Sequence, residues 1–253
     1  MDSGLEKRLY EKYNIDNLSP GSKTAKLGHL YEEYVKIIFS TNEYIDNFNQ
    51  GCQPSTVEEE VIQAVCKEFN IEFIASVDFL EVPSTDAGGP AKTDLCILIN
   101  ENIYIKSTIK QSHCKRVSIS EYDVATIAQA VSIKDQRVIS LMEKFQRCGS
   151  GKLFSESEKE ELTLGIQPYK RDLIRWAFSG DVSNSHDLRV ANFSINFKVN
   201  KETKRMEHFV AHSIDSLVNK TIEEGNGFDT GLSWTHASGT RGKKIQYKGP
   251  TFL

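Results

Sequence analysis

The stretch Thr93-Asp94-Leu-Cys-Ile-Leu-Ile-Asn-Glu-Asn-Ile-Tyr-Ile-Lys-Ser-Thr108-Ile109-Lys110 decides how the chain is read. Asp94 to Ile99 is mostly apolar and reads as one strand. Asn100-Glu101-Asn102 reads as a tight turn, because Asn tolerates the left-handed backbone that a hairpin needs. Ile103 to Lys110 then alternates. Ile103, Ile105, Ser107 and Ile109 fall on one face, and Tyr104, Lys106, Thr108 and Lys110 on the other. The first face is fit to pack on a core; the second carries two lysines and a hydroxyl. Asp94 stands on the neighbouring antiparallel strand, on the polar side. An acid and a lysine so placed can together hold a divalent metal and a phosphate. Lysines on the wet face of a half-buried strand are also ordinary, so the surrounding chain must decide.

Working outward, Pro83 to Pro90 is a loop that delivers Lys92-Thr93-Asp94 to the hairpin, and Ile71 to Val82 is β-rich. Residues 4 to 14 read as a short helix that Ser19-Pro20-Gly21 ends. Ser22 to Lys26 leads into a stronger helix with a stripe of Leu27, Leu30, Tyr31, Tyr34, Val35 and Ile38. Glu32 and Glu33 lie beside that stripe, where a carboxylate lines a cleft or is simply solvated. A helix follows over Thr41 to Asn49. Pro54 to Glu59 holds two overlapping capping boxes ahead of Val61, Val65 and Phe69. The triple acid Glu58-Glu59-Glu60 is a charged first turn favoured by the helix dipole.

Beyond Lys110, Ser118-Ile-Ser-Glu121 is expected to cap a helix running through Val131. Asp135 to Cys148 is amphipathic and stops at Gly149. Ser155-Glu-Ser-Glu158 caps a short helix, and Pro168 opens another ending near Gly180, with Lys170, Arg171 and Arg175 on a face that is solvated or meets phosphate. Asp187 to Asn200 alternates with a phase shift at Ala191-Asn192, which reads as a bulge. Met206 to His212 is its partner strand, and Ile214 to Ile222 a helix closed by Gly225. The tail from Gly231 to Gly249 is glycine-dotted and basic, ending in a short strand on which Lys244, Gln246 and Lys248 share a face.

A chain of 253 residues with 39% apolar content can bury a sizeable core in one or two domains. It has no apolar run of membrane-spanning length, and its start is not expected to be a signal peptide. Five scattered cysteines without a Cys-x-x-Cys pair point to reduced thiols in a cytoplasmic protein, not to disulfides or structural zinc. The net charge of −4 disfavours nucleic acid only on average. Asn102 to Ser120 and Thr230 to the end hold no acid but many basic residues, so a basic cleft on an acidic body is permitted.

Longer strings now carry a resemblance. They are Lys26-Leu-Gly-His-Leu-Tyr-Glu-Glu-Tyr34, Ala87-Gly-Gly-Pro-Ala-Lys-Thr-Asp94, Ile109-Lys110, Val117-Ser-Ile-Ser-Glu-Tyr-Asp-Val124, Ile174-Arg-Trp176 and the tail from Thr230 to Gly249. Through them the chain resembles, almost end to end, the MspI-type type II restriction endonucleases of the PD-(D/E)XK nuclease superfamily, which cut CCGG. The resemblance implies an α/β fold, with a central mixed β-sheet flanked by helices. It implies one endonuclease domain over 1–253, with a DNA-recognition segment at about 230–250. It also implies Mg²⁺-dependent phosphodiester hydrolysis on double-stranded DNA, and a cognate DNA methyltransferase in the cell that does not associate physically.

Residue by residue, Asp94 looks like the metal-binding aspartate and Lys110 like the catalytic lysine, with a backbone carbonyl at Ile109 beside the cation. Thr108 falls where the superfamily has Glu or Asp and the MspI-type pattern has Asn; a threonine can hydrogen-bond a water but cannot neutralise a cation. Glu32 matches a glutamate of the family's N-terminal helix and would supply a second carboxylate. Gln246 and Lys248 look like major-groove readers, Lys toward guanine O6/N7. Thr235, His236, Ser238 and Ser118 would touch bases or phosphates, His236 standing where the MspI-type pattern has Tyr. Lys115, Arg116 and Arg241 look like phosphate positioners. The rival expectation is a sequence-specific DNA-binding protein with lost or nicking-only nuclease activity, Thr108 being its symptom.

Overall fold

The computed structural model describes residues 4–86, 91–183, 185–236 and 239–252. In chain order its helices and strands are α1 (Gly4–Lys12), α2 (Pro20–Ser40), α3 (Asn42–Asn49), α4 (Val57–Glu68), β1 (Val77–Leu80), β2 (Leu95–Ile99), β3 (Ile103–Ser112) and β4 (Arg116–Tyr122). There follow α5 (Val124–Ala130), α6 (Gln136–Cys148), α7 (Glu156–Ile166), α8 (Lys170–Ser179), β5 (Phe193–Val199), β6 (Met206–Ser213), α9 (Ile214–Ile222), β7 (Ser233–Thr235) and β8 (Ile245–Pro250). The fold is α/β with a mixed sheet flanked by helices, as expected. The chain divides into two compact units, 1–114 with 191–213, and 115–190 with 214–252.

The first unit is built on a five-stranded sheet of order β1-β2-β3-β5-β6. The quoted hairpin forms its centre: Leu95 pairs with Ser107 and Ile99 with Ile103. Asn100 and Glu101 both take left-handed φ, 52° and 61°, the mirror-image turn that suits strand twist. The Asn100 side chain also accepts from Ala75 N at 2.7 Å and donates to the Phe73 carbonyl at 2.8 Å, tying the turn to the approach to β1. β3 pairs with β5 in parallel, so it is covered on both edges. The apolar stripe of α2 is fully buried on this sheet, with Tyr31 stacked on Phe197 at 4.6 Å and Tyr34 edge-on to it at 5.8 Å. Such pairs add about 0.5–1.5 kcal/mol beyond their burial.

The second unit has a three-stranded sheet, β4-β8-β7, and helices α5 to α9 around a core that includes Leu141, Phe145, Trp176, Leu217, Trp234 and Tyr247. The predicted stop of α6 is realised at Gly149 (φ 68°), and the capping box of Ser155 with Glu158 opens α7.

Several expectations are corrected. Ser19-Pro20-Gly21 does not end the first helix, which stops at Lys12; it starts α2, because a first-turn proline needs no N–H donor. At α4, by contrast, the expected capping box of Thr56 and Glu59 forms, and Glu59 is buried. The backbone N–H of Ser55, then the Asn47 amide, hold its carboxyl down to about 2. Lys106, expected on a wet face, is only 4% exposed, because β3 is central to the sheet. Ser118 to Glu121 does not cap a helix: it lies in β4, and Asp123 caps α5 by accepting from Thr126 N at 2.9 Å. Pairing with β8 outcompetes the local capping box. Of Ile71 to Val82 only Val77–Leu80 forms a strand. β5 starts at Phe193 without a bulge at 191–192, since the Asn192 side chain stands in for a ladder residue, bonding Lys106 N and the Tyr104 carbonyl at 2.8 Å each. Arg175 is buried and paired with Asp215 across α8 and α9, not solvated. The strand β7 was not anticipated.

Candidate active site

Asp94 lies just ahead of β2, and its N–H donates to the Ser107 carbonyl at 2.8 Å. The hairpin register therefore sets its side chain beside Thr108 and Lys110, on one face of the sheet. One carboxylate oxygen, Oδ2, accepts three hydrogen bonds: from Thr108 Oγ1 at 3.1 Å, Ile109 N at 2.7 Å and Lys110 Nζ at 2.9 Å. All three donors come from consecutive residues of β3. The other oxygen, Oδ1, takes no hydrogen bond or ion pair among the described residues. Thr108 is 4% exposed, and its hydroxyl is held by its bond to Asp94. Its hydrogen is committed to Asp94, which leaves the oxygen lone pairs as acceptors for a water.

A second lysine belongs to this group and was not singled out from the sequence. Desolvation first, then the Lys110 charge, bring Lys92 down to about 7, while Asp94 opposes the shift. The signal was present as a cation two residues ahead of the carboxylate, but a single lysine in a loop has many bland meanings.

Glu32 does not join the three-residue cluster through any hydrogen bond among the described residues. It stands on α2, with His29 Nδ1 at 3.4 Å from its Oε2. The described residues hold no group of three or more His, Cys, Asp and Glu side chains that would cage a cation. A carboxylate oxygen suits a hard divalent ion that takes few protein ligands and keeps water. Asp94 Oδ1 is the oxygen left to hold such an ion.

In the second unit, the sheet β4-β8-β7 gathers most of the other sequence-predicted residues. Ser118 pairs with Lys248, Ser233 with Lys248, and Thr235 with Gln246. On β8, Ile245, Tyr247 and Gly249 are buried, while Gln246 and Lys248 face away from the core. Thr235 Oγ1 donates to Gln246 Oε1 at 3.1 Å, and among the described residues the amide nitrogen of Gln246 donates to no partner. Lys115 and Arg241 are exposed.

Arg116 is differently placed. Its guanidinium donates to the Gly231 carbonyl at 2.9 Å, the Lys248 carbonyl at 3.3 Å and Glu224 at 3.2 Å, which makes it a strut of the sheet. His236 packs its ring edge-on to Phe145 and against Gly149, where a Cβ would come within 2.5 Å of the ring; its Nε2 is buried without a partner among the described residues. Ser238 lies outside the described residues, as do residues 87–90 of the loop before Asp94.

A family model described as restriction endonuclease MspI matches residues 7–249. The chain belongs to the MspI restriction endonuclease family. The type II restriction enzyme MspI from Moraxella sp is 33% identical over 98% of this chain and 100% of its own length. The type II restriction enzyme BsuFI from Bacillus subtilis is 24% identical over 97% of this chain and 64% of its own length. The crystal structure of MspI in complex with its cognate DNA matches with a TM-score of 0.84, at 33% identity, over 98% of this chain and 100% of that chain. Membership of the MspI family makes the chain a type II restriction endonuclease, a DNA-binding site-specific deoxyribonuclease. Enzymes of this type generally need a divalent metal ion. No helix among the described residues is long and apolar enough to cross a membrane.

Proposed function

We propose that this enzyme hydrolyses phosphodiester bonds in double-stranded DNA at CCGG, with Mg²⁺ as its cation. The observation that carries the reading is the Asp94 carboxylate clamped through Oδ2 by three successive donors of β3, with Oδ1 left over. A bound divalent ion supplies positive charge that stabilises the phosphoryl oxygens as the transition state forms. Asp94 would hold that ion, and Lys110 would offset charge at the scissile phosphate. Thr108 accepts from and orients a water, and Glu32 contributes the second carboxylate.

For recognition, Gln246 and Lys248 read base edges in the major groove. Ser118, Thr235, His236 and Ser238 add base or phosphate contacts, Lys115 and Arg241 position the backbone, and Arg116 braces the sheet. The whole of 1–253 acts as one endonuclease domain, with 230–250 as its recognition segment. The enzyme is cytoplasmic, and a cognate DNA methyltransferase protects host sites without binding it.

Incubation of plasmid with the purified protein and Mg²⁺ tests this. A fixed banding pattern that maps to CCGG supports it. Nicking alone, or specific binding without any cutting, would replace it with the reading of a DNA-binding protein that has lost full catalysis, for which the single secure carboxylate of the cluster is the argument.

A further inference from the structure

Glu121 sits in β4 and pairs with Gln246 of β8, which in turn pairs with Thr235 of β7. The outward face of the sheet thus carries two transverse rows. One is Ser233, Lys248 and Ser118; the other is Thr235, Gln246 and Glu121. Within a row neighbours are about 4.8 Å apart, and the rows are about 6.8 Å apart. Glu121 is the one carboxylate among these six side chains.

An irregularity puts it there. The register of β4 against β8 shifts between Ser118 and Ser120, so that Ile119 is the extra residue of a bulge. In an unbroken strand Ser118 and Ser120 would share the outer face and Glu121 would point inward. With the bulge, Ser120 turns to the buried side opposite Tyr247, and Glu121 joins Gln246 outside. The change has a cost: the hydroxyls of Ser120 and Tyr247 are both buried with no hydrogen-bond partner among the described residues. Thr240 then donates to Glu121 Oε1, which fixes the carboxylate. Its Oε2 makes no hydrogen bond among the described residues.

A fixed carboxylate is repelled by phosphate, so its presence on a DNA-facing surface needs a donor to meet. In a G·C pair the guanine edge offers two acceptors and the cytosine edge offers one donor, its N4 amino group. Lys248 and the Gln246 amide are donors and suit guanine; Glu121 is the acceptor that suits cytosine. We propose that Glu121 is a specificity-determining residue that accepts a hydrogen bond from cytosine N4, with Thr240 as its positioning residue. The proposal rests on the reading of this sheet face as the major-groove reader.

The test measures kcat/KM on the CCGG duplex and on duplexes carrying 2-pyrimidinone, which lacks the N4 amine, at each cytosine in turn. The parent enzyme should lose about 10- to 100-fold on one of these analogues. Glu121→Ala should lose a similar factor on the normal duplex and little more on that analogue. Thr240→Ala should shrink the analogue penalty, and Thr240→Ser should restore it. A Glu121→Ala enzyme with the parent's full analogue penalty would overturn the proposal, as would a parent enzyme indifferent to every analogue. Should Glu121→Ala be inactive on all duplexes, Glu121→Gln decides: a reduced penalty supports the contact, and an unchanged one refutes it. A 7-deazaguanine duplex with Lys248→Ala serves as the control. Loss of its penalty in Lys248→Ala, beside a retained analogue penalty in Glu121→Ala, removes Glu121 alone; retention of both penalties removes the reading of the whole face.

Discussion

Lys110 and Lys248 both stand on sheet faces, and they differ in what holds them. Lys110 is locked 2.9 Å from Asp94, on a strand paired on both edges. The Lys248 side chain makes no hydrogen bond or ion pair among the described residues, although its carbonyl accepts from Arg116. The first arrangement suits chemistry, where charges must already be in place when the transition state forms. The second suits recognition, where a donor tied up within the protein has nothing to offer a base. The contrast extends to the neighbours: Asp94 is fixed by three donors of its own hairpin, whereas the Gln246 amide is engaged, among the described residues, only through its oxygen.

The contrast can be broken first at the hairpin. Asp94→Ala should lower the cleavage rate by about a thousandfold or more, and Lys110→Ala by about 10²–10³, with DNA binding largely kept. A single-turnover assay beside a binding isotherm checks this, and near-parent cutting by Asp94→Ala would remove the hairpin from the mechanism. Arg116→Ala comes next. It should destabilise the fold by about 1.5–3 kcal/mol, since three hydrogen bonds of a charged group are lost. Denaturant unfolding measures that, and a drop only in the salt slope of DNA binding would show a phosphate contact instead.

Lys248→Ala and Gln246→Ala should each cost about 1–3 kcal/mol in discrimination against a wrong base. Equal losses on cognate and scrambled duplexes would move Lys248 to the phosphate backbone. At the hairpin again, Thr108→Ala should raise the barrier by about 1–2 kcal/mol, while Thr108→Asn keeps activity through an equivalent hydrogen bond. An inactive Asn variant beside a fully active Ala variant would defeat that. The smallest effect belongs to Lys115→Ala, which should weaken binding to all sequences and reduce the salt slope by about one unit.

The hairpin was legible because its two signals are local. Alternation from Ile103 to Lys110 set the faces, and the Asn-rich turn set the register, so Asp94, Thr108 and Lys110 met without help from distant chain. The helices with strong stripes or caps, such as those ending at Gly149 and beginning after Ser155, were legible for the same reason. What failed depended on partners far along the chain. Ser118 to Glu121 has the spacing of a capping box, and only β8, far downstream, makes it a strand. Lys106 looks like a surface lysine until β3 proves central, with β2 and β5 on its two edges. Arg116 and Arg175 looked like free cations because Glu224 and Asp215 are distant in sequence. A basic residue read along a chain shows its charge but not its counter-ion.

Gly149 closes α6 with a left-handed backbone and also lies under the His236 ring, where any β-carbon would intrude to 2.5 Å. For protein engineering this makes the position a hidden constraint. A randomised library meant to retarget the enzyme could vary Ser118 freely, yet would return almost only glycine at 149, although that codon is remote from the recognition segment.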